Sequence, residues 1–151
     1  MLRNLQTNGS QYANAMYKAK TDIKRGSFVQ VDEQTMEVKL ATGIAGAKLI
    51  NRGLKLTKDV AMEMYPVDEY SDDQDIIKEK EMGYLNELEG RWASTEYDNS
   101  VESSAIDSYL TIANGKLKAS STPTIIIFKG FVTEGSHKLA KFEFDHTIKL
   151  A

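Results

Sequence analysis

The residues that could carry out chemistry are few in this chain. It has two histidines, His137 and His146, and no cysteine. Acid-base catalysis and transition-metal binding most often use these two residue types, because their side chains exchange protons or donate a lone pair near neutral pH. The two histidines are nine positions apart, and an odd separation places side chains on opposite faces of a continuous strand. We therefore expect both to be surface residues that share neither a metal ion nor a proton.

The acidic run from Asp68 to Asp75 is the second candidate for chemistry. Its carboxylates and the neighbouring carbonyl oxygens could hold calcium. The run lacks the glycine at the sixth position and the glutamate at the twelfth that an EF-hand loop requires. We interpret it as a solvated acidic loop, and a hydrolase that uses these carboxylates is the weakest alternative. The prediction is that the protein holds no metal ion and no other cofactor.

Nucleophilic catalysis and phosphate binding have little support in the motifs. No serine lies in the Gly-x-Ser-x-Gly turn of a hydrolase, and both histidines fall in one predicted hairpin, so a nucleophile-base pair is not expected. The segment Gly43–Gly46 lacks the lysine of a phosphate-binding loop. These observations predict a protein that is not an enzyme.

Length and charge narrow the class of partner. The chain has 151 residues, enough for one ordinary domain with one core. It carries 22 acidic and 19 basic residues, a balance that argues against nucleic acid as partner. Met1–Gln6 contains no apolar run of the kind a signal peptide or membrane span needs, so no membrane partner is expected. The absence of cysteine fits folding in a reducing compartment.

Alternation of apolar and polar residues predicts an all-β domain, a small sandwich or barrel. The runs Phe28–Val31 and Met36–Leu40 alternate around a polar turn, which is typical of a hairpin. Asn114-Gly115 joins two further alternating runs, and both central residues of a type I′ turn need positive φ, which Asn and Gly tolerate. A last hairpin pairs Thr124–Phe128, predicted as a central strand, with Leu139–Phe144.

Three other segments are predicted as strands. The pattern from Leu49 to Leu56 predicts a short strand, or a pair of strands, interrupted at Gly53. Val60 to Met64 alternates until Pro66 ends the strand. For residues 66–83 we favour strands over a helix, because Gly83 and Glu81 interrupt the apolar stripe that a helix would need.

Residues 1–20 differ in composition from residues 21–151. They are rich in small and polar residues, and their only bulky groups close to the domain are Tyr12, Met16 and Tyr17. We predict an extended N-terminal arm over 1–20 that lies on a neighbouring molecule or is mobile, and a β-rich domain over 21–151.

Charge is distributed unevenly between the two parts of the sequence. Residues 1–60 carry ten basic and five acidic residues, a net charge of +5, whereas residues 61–151 carry nine and seventeen, a net charge of −8. Such polarity could orient the domain on an oppositely charged partner. The favoured alternative is that strands from both parts interleave in space and the asymmetry disappears.

Four stretches of the chain together carry a resemblance to a known family. They are Lys24–Val31, with the pattern Lys-x-Gly-x-Phe-Val, then Val38–Thr42, then Glu89–Tyr97, and Tyr109–Leu117 with its Asn-Gly-Lys-Leu turn. Over about two thirds of the chain they resemble the head decoration, or cement, proteins of tailed bacteriophages. The first twenty residues and the acidic run lie outside the resemblance.

The resemblance implies a non-enzymatic virion protein that binds the outer surface of a phage capsid and stabilises it. The partner would be the major capsid protein, with many copies or a homo-oligomer on the lattice, assembled in the host cytoplasm. For the contacts we predict Tyr12, Met16, Tyr17 and Lys18 of the arm, with Arg25 beside them.

Trp92, the only tryptophan, has two interpretations. It could anchor a partner surface, because Trp, Tyr and Arg dominate binding hot spots. The favoured alternative is a core or corner aromatic. Two other functions stay open at this point: a phage tail or neck structural protein, and a carbohydrate-binding module that stacks sugars on Trp92 and Tyr97.

Overall fold

The computed structural model describes residues 1–5, 15–56, 64–66 and 75–148. These form short strands and one 3-10 helix at Asn99–Ser103, which confirms the all-β prediction. Within them, no helix has the length and apolar character needed to cross a membrane. The strands are β1 (Leu2–Asn4), β2 (Ala15–Ala19), β3 (Ile23–Lys24), β4 (Phe28–Asp32), β5 (Glu37–Leu40), β6 (Lys48–Leu56), β7 (Met64–Pro66), β8 (Ile76–Ile77), β9 (Met82–Asn86), β10 (Arg91–Ser94), β11 (Tyr109–Ala113), β12 (Lys116–Ala119), β13 (Ile126–Glu134) and β14 (His137–Phe144).

One sheet is open and antiparallel, with strand order β1-β10-β14-β13-β11-β12, and we call it the open sheet. Its hairpins β11–β12 and β13–β14 confirm two of the predicted hairpins. Asn114 and Gly115 have φ of 49° and 74°, as a type I′ turn requires. Strand β13 lies between β14 and β11, so the strand predicted as central is central.

The other sheet closes into a five-stranded barrel, β4-β5-β2-β9-β6, because β4 also pairs with β6. Strand β7 continues this sheet outside β6, and β2 runs parallel to β5. The hairpin β4–β5 is the predicted one, with Val29 opposite Leu40 and Asp32 opposite Glu37. The protein therefore combines a barrel with an open sheet, and β3 and β8 form a separate small pair.

The three less regular segments fold mostly as predicted where the structure describes them. Leu49 to Leu56 belongs to the single strand β6, whose pairing with β9 shifts register between Ile50 and Gly53. The described parts of 66–83 contain β8 and the start of β9, both strands. Val60, Met62 and residues 67–74 lie outside the described residues.

Two large clusters of apolar side chains and a small third one, of Met1, Ala93 and Leu139, stabilise the fold. The largest fills the space between the barrel wall and the inner face of the open sheet, and it includes Phe28, Leu49, Trp92, Leu110, Leu117, Phe128 and Phe142. The other large cluster fills the barrel and includes Ala19, Ile23, Val29, Val38, Ile50, Ile77 and Leu85. We call these two the inter-sheet core and the barrel core.

Strands β4 and β6 contribute to both cores, because successive side chains point to opposite faces of a strand. Phe28 and Leu49, which pair across the two strands, enter the inter-sheet core. Val29 and Ile50, the next residues along, enter the barrel core. The apolar pairs Phe-Val and Leu-Ile in the sequence are therefore explained by strands buried on both faces.

The ends of the predicted N-terminal arm belong to the two sheets. Strand β1 pairs with β10, and Leu2 is fully buried in the inter-sheet core. Strand β2 is a wall of the barrel, and Ala19 lies in the barrel core. The prediction of an arm over 1–20 is corrected for these parts, because short apolar segments are stabilised here by distant strands; residues 6–14 lie outside the described residues.

We predict that Gly115→Ala destabilises the protein strongly. A Cβ at Gly115 would lie 2.5 Å from Leu40 Cδ2 and 3.0 Å from the carbonyl oxygen of Phe28, at a φ of 74°. Gly135 also has positive φ, 59°, but a Cβ there would meet no described atom within 4 Å. Gly135→Ala therefore measures only the free-energy cost of a positive φ for a residue with a Cβ. Urea denaturation should show a loss of about 3 kcal/mol for Gly115→Ala and about 1 kcal/mol for Gly135→Ala. Equal losses would contradict the close approach of the hairpin to β5.

Candidate interaction surfaces

Two of the predicted contact residues lie inside the protein. Trp92 is 1% exposed, and its indole Nε1 donates to the carbonyl oxygen of Glu89. Arg25 is also 1% exposed, and its Nη2 donates to Asn51 Oδ1. A buried side chain offers no surface to a partner, so both are corrected to structural residues. The favoured interpretation of Trp92 as a core aromatic agrees with its position in the inter-sheet core.

The other predicted contacts belong to or precede strand β2. Lys18 is exposed on the barrel wall, opposite Glu37 of β5. Tyr17 is half-buried against the barrel core. Met16 lies in β2 opposite Tyr84, and Tyr12 falls outside the described residues. Of the set, Lys18 is the residue whose side chain the structure places in solvent.

A polar network joins β1 to the barrel. The amino group of Met1 lies 2.8 Å from Asp75 Oδ1, and it donates to Thr95 Oγ1 and to the carbonyl oxygen of Arg25. The backbone N–H of Arg25 donates to the carbonyl oxygen of Asp75. Asp75, the last residue of the acidic run, therefore serves as a structural partner, while the rest of the run lies outside the described residues.

A second polar contact joins the sheets at Gly26. Ser94 Oγ donates to the Gly26 carbonyl oxygen and accepts from the backbone N–H of Glu96. A Cβ at Gly26 would lie 2.5 Å from that same hydroxyl oxygen. The two backbone segments can therefore approach this closely only with glycine at this position. The Lys-x-Gly pattern of the sequence therefore marks a contact between sheets.

Asn86 is a buried polar residue whose side-chain amide is unsatisfied. It is 0% exposed, and neither amide atom has a hydrogen-bond partner among the described residues. It pairs with Leu49, on the face of β9 that is directed away from Leu85 and the barrel core. An unpaired buried amide costs free energy, which makes Asn86 a weak point of the fold.

Tyr97, Phe131, Glu102 and Lys138 form a mixed cluster, which we call the aromatic-ion cluster. The Tyr97 and Phe131 rings pack with centroids 5.4 Å apart, and Lys138 Nζ lies 4.1 Å from the Phe131 centroid. Lys138 donates to Glu102 at 2.6 Å, and the Tyr97 hydroxyl donates to the same carboxylate at 3.3 Å. The Tyr97 ring and hydroxyl are thus engaged within the protein.

The aromatic-ion cluster also changes the pKa of its members. The hydrogen bond from Lys138 lowers the pKa of Glu102, and the same bond raises the pKa of Lys138. Burial, followed by the charge of Glu102, raises the pKa of Tyr97. With Trp92 enclosed and Tyr97 engaged, stacking of sugars on these two side chains is not supported.

The two histidines lie apart, as predicted. His137 is exposed at the start of β14, and His146 follows its end, with Nε2 2.6 Å from the carbonyl oxygen of Leu88. In the part of the chain that the structure describes, no three His, Asp or Glu side chains come together as a metal site.

The outer face of the open sheet carries paired charges. A concavity of about 320 Å³ is lined by Leu5, Arg91, Lys129, Lys141 and Phe142. Arg91 pairs with Glu143 at 2.8 Å, and Lys129 pairs with Asp107 at 2.6 Å. The lining thus holds three cations, Arg91, Lys129 and Lys141, and the carboxylates of Glu143 and Asp107 beside it offset two of these charges.

An apolar depression of about 330 Å³ lies between two loops, lined by Ile44, Ala45, Pro123, Thr124 and Ile125. Ile44 and Ile125 also pack against the inter-sheet core. The depression is thus an extension of the core that reaches the surface.

The charge asymmetry along the sequence is interleaved in space. β1, from the basic part, pairs with β10, and β9, from the acidic part, lies between β2 and β6. The favoured alternative, that strands of both parts mix, agrees with this topology.

Comparison of the chain with protein-family models, with curated proteins and with solved structures finds no match.

We predict that Asn86→Val is tolerated although the residue is fully buried. The substitution removes two unsatisfied polar atoms and places a β-branched side chain in a strand, so stability should fall by less than about 1 kcal/mol or should rise. The matched control is Asn51→Val, also buried, which deprives Arg25 of a partner and should cost about 1–3 kcal/mol. Thermal and urea denaturation measure the stability of both variants. A larger loss of stability in Asn86→Val than in Asn51→Val would contradict the prediction.

We predict that Lys138→Met raises the pKa of Glu102 towards its ordinary value. In the folded protein this pKa is lowered, so the carboxylate stabilises the fold above its ordinary titration range, and this contribution is lost as the pH falls through the lowered value. Carbon NMR titration of the Glu102 carboxyl measures the shift. Lys118→Met, at an exposed lysine of β12, should leave the titration unchanged, and an unchanged titration in Lys138→Met as well would rule out the ion pair as the cause.

Proposed function

We propose that this protein is a non-enzymatic virion structural protein that binds the outer surface of a phage capsid and stabilises it. The resemblance to decoration proteins supports the proposal. The proposal names the major capsid protein as partner.

The observation that carries the proposal is the convergence of the resembling segments. The Phe28 N–H donates to the Gly115 carbonyl oxygen, and the Gly115 N–H donates to the Ala41 carbonyl oxygen. Ser94 of the Glu89–Tyr97 stretch donates to Gly26. Segments that are distant in sequence therefore form one continuous joint between barrel and open sheet, as expected if the resemblance is one of fold.

Stabilisation would follow from mass action. A protein that binds the assembled shell and not its separate subunits adds free energy to the assembled state alone. When one weak contact is repeated over a lattice, the total binding free energy is large, because every copy adds its own contribution and linked copies bind together. A rigid double-sheet domain suits this role, since little conformational entropy is lost when it docks.

The exposed side of β2 is the part of the predicted contact set that remains available to a partner. Lys18 extends from the barrel wall into solvent, with Tyr17 half-buried beside it. A cation on a rigid strand favours a carboxylate on the capsid, in an interaction that salt weakens.

We predict that the purified protein sediments saturably with undecorated phage capsids and raises their melting temperature. Lys18→Glu should reduce the affinity for capsids about tenfold, because it replaces an attraction by a repulsion. Co-sedimentation at two salt concentrations and differential scanning calorimetry of the shells measure both effects.

The matched control is Lys118→Glu, which makes the same charge change at an exposed lysine of the open sheet. It should bind capsids as the unmodified protein does. Failure of the folded, unmodified protein to bind capsids would overturn the proposal, and equal losses in the two variants would remove β2 as the contact.

A further inference from the structure

Among the described strands, none pairs with the outer edge of β13 over its second half. Strand β11 pairs with β13 only at Ile126 and Ile127, and the register of β13 with β14 shifts between Phe128 and Phe131. Beyond that irregularity, β13 and β14 continue as a hairpin that turns at Gly135-Ser136. The segment Phe131–Glu134 therefore has β14 on one side and, among the described strands, none on the other.

The backbone groups along this edge follow from the hairpin. Glu134 and His137 flank a two-residue turn, so they form a hydrogen-bonded pair, and bonded and non-bonded pairs alternate from there. The backbone of Val132 therefore forms hydrogen bonds with that of Leu139. The N–H and C=O groups of Phe131 and Thr133 point away from β14. These four groups have no partner in the described parts of the chain.

Strand β12, the last strand on the same side of the open sheet, shows what a protected edge looks like. At β12, the Leu117 N–H donates to Glu96, the Leu117 carbonyl accepts from Asp98, and the Ala119 N–H donates to Ser100 Oγ. The edge of β13 has no such cover from the described residues. Its side chains are also favourable for pairing, because Phe, Val and Thr have high β propensity and Val132 is 39% exposed.

We propose that this edge pairs antiparallel with the same edge of a second copy of the chain, about a twofold axis at Val132. In this register Phe131 lies opposite Thr133 of the second copy and exchanges both hydrogen bonds with it, so the two pairs satisfy all four groups on each chain. Val132 lies opposite its symmetry mate on the outer face. The fit of the edge to itself selects a second copy as the occupant.

The surroundings of the edge agree with this register. Glu134 of one copy faces Gly130 of the other, so no like charges are opposed. Val132 meets Val132 in a non-hydrogen-bonded pair, where side chains are closest and apolar pairs stabilise most. The two open sheets become one sheet that continues through both molecules. The inference rests on the edge alone and does not depend on the proposed capsid function.

The test uses a cysteine in a chain that has none. In a non-hydrogen-bonded antiparallel pair, the two Cα atoms lie about 4.5 Å apart, within the range of a disulfide. Under mild oxidation, Val132→Cys should therefore give a covalent dimer about tenfold faster than Ile106→Cys, a control at a more exposed site, 65% against 39%. Equal rates on non-reducing gels would overturn the proposal.

A second variant separates strand pairing from random collision. Thr133→Pro in the Val132→Cys background removes an N–H that the hairpin itself does not use, so the fold persists while the pairing loses a donor on each chain. Cross-linking should fall to the rate of Ile106→Cys, and Thr133→Ala should retain it, with melting temperatures confirming that both fold. Undiminished cross-linking in the proline variant would overturn the pairing.

The same variants distinguish a capsid strand at this edge from a second copy. If Val132→Cys cross-links no faster than the control while Thr133→Pro alone abolishes binding to capsids, the edge belongs to the capsid and self-pairing is overturned. If Thr133→Pro loses the dimer and still binds capsids, self-pairing is supported independently of the capsid contact.

Discussion

The structure depends on two strands that are buried on both faces. In β4 and β6, one residue enters the inter-sheet core and the next enters the barrel core, as Phe28 and Val29 show. A slip of one residue would exchange these side chains between cores of different size, so the register of the whole barrel is strongly determined. The open sheet can pack on the barrel only because these strands present Phe28 and Leu49 outward. The hydrogen bond from Ser94 to Gly26 lies next to this shared wall.

The contacts next to β4 and β6 are polar, and the backbone segments there approach each other closely. Gly26 and Gly115 let neighbouring backbones approach where any side chain would collide with Ser94 or Leu40. Met1 and Asp75 bring β1 and the segment before β8 to the same joint. Hydrogen bonds and apolar packing therefore coincide at this joint between the barrel and the open sheet. The segments that carry the family resemblance meet at this joint, which links the proposed function to the fold.

The surfaces left for partners are modest, and they follow from the same architecture. Closing the barrel removes its edges, and residues 96–100 cover the edge at β12. The bulge in β13 then leaves a further short edge, at Phe131–Glu134, that has no neighbouring strand among the described strands, besides the outer edge of β1. The outer face of the open sheet has balanced ion pairs, and the aromatic-ion cluster satisfies its own polar atoms. A lattice protein that uses several weak contacts is consistent with such a surface.

The sequence by itself determined the all-β class and the three hairpins, because alternation and turn chemistry act between residues that are close along the chain. Asn114-Gly115 and the run from Phe28 to Leu40 predict their own pairing. The tertiary structure decided where the first twenty residues lie: Leu2 pairs with Ser94 and Ala15 with Leu85, partners more than sixty residues away that no local pattern encodes. It also decided that Arg25 and Trp92 are internal, since the burial of a polar or amphipathic side chain depends on which distant strands enclose it. The edge of β13 is visible only after the neighbours of every strand are known.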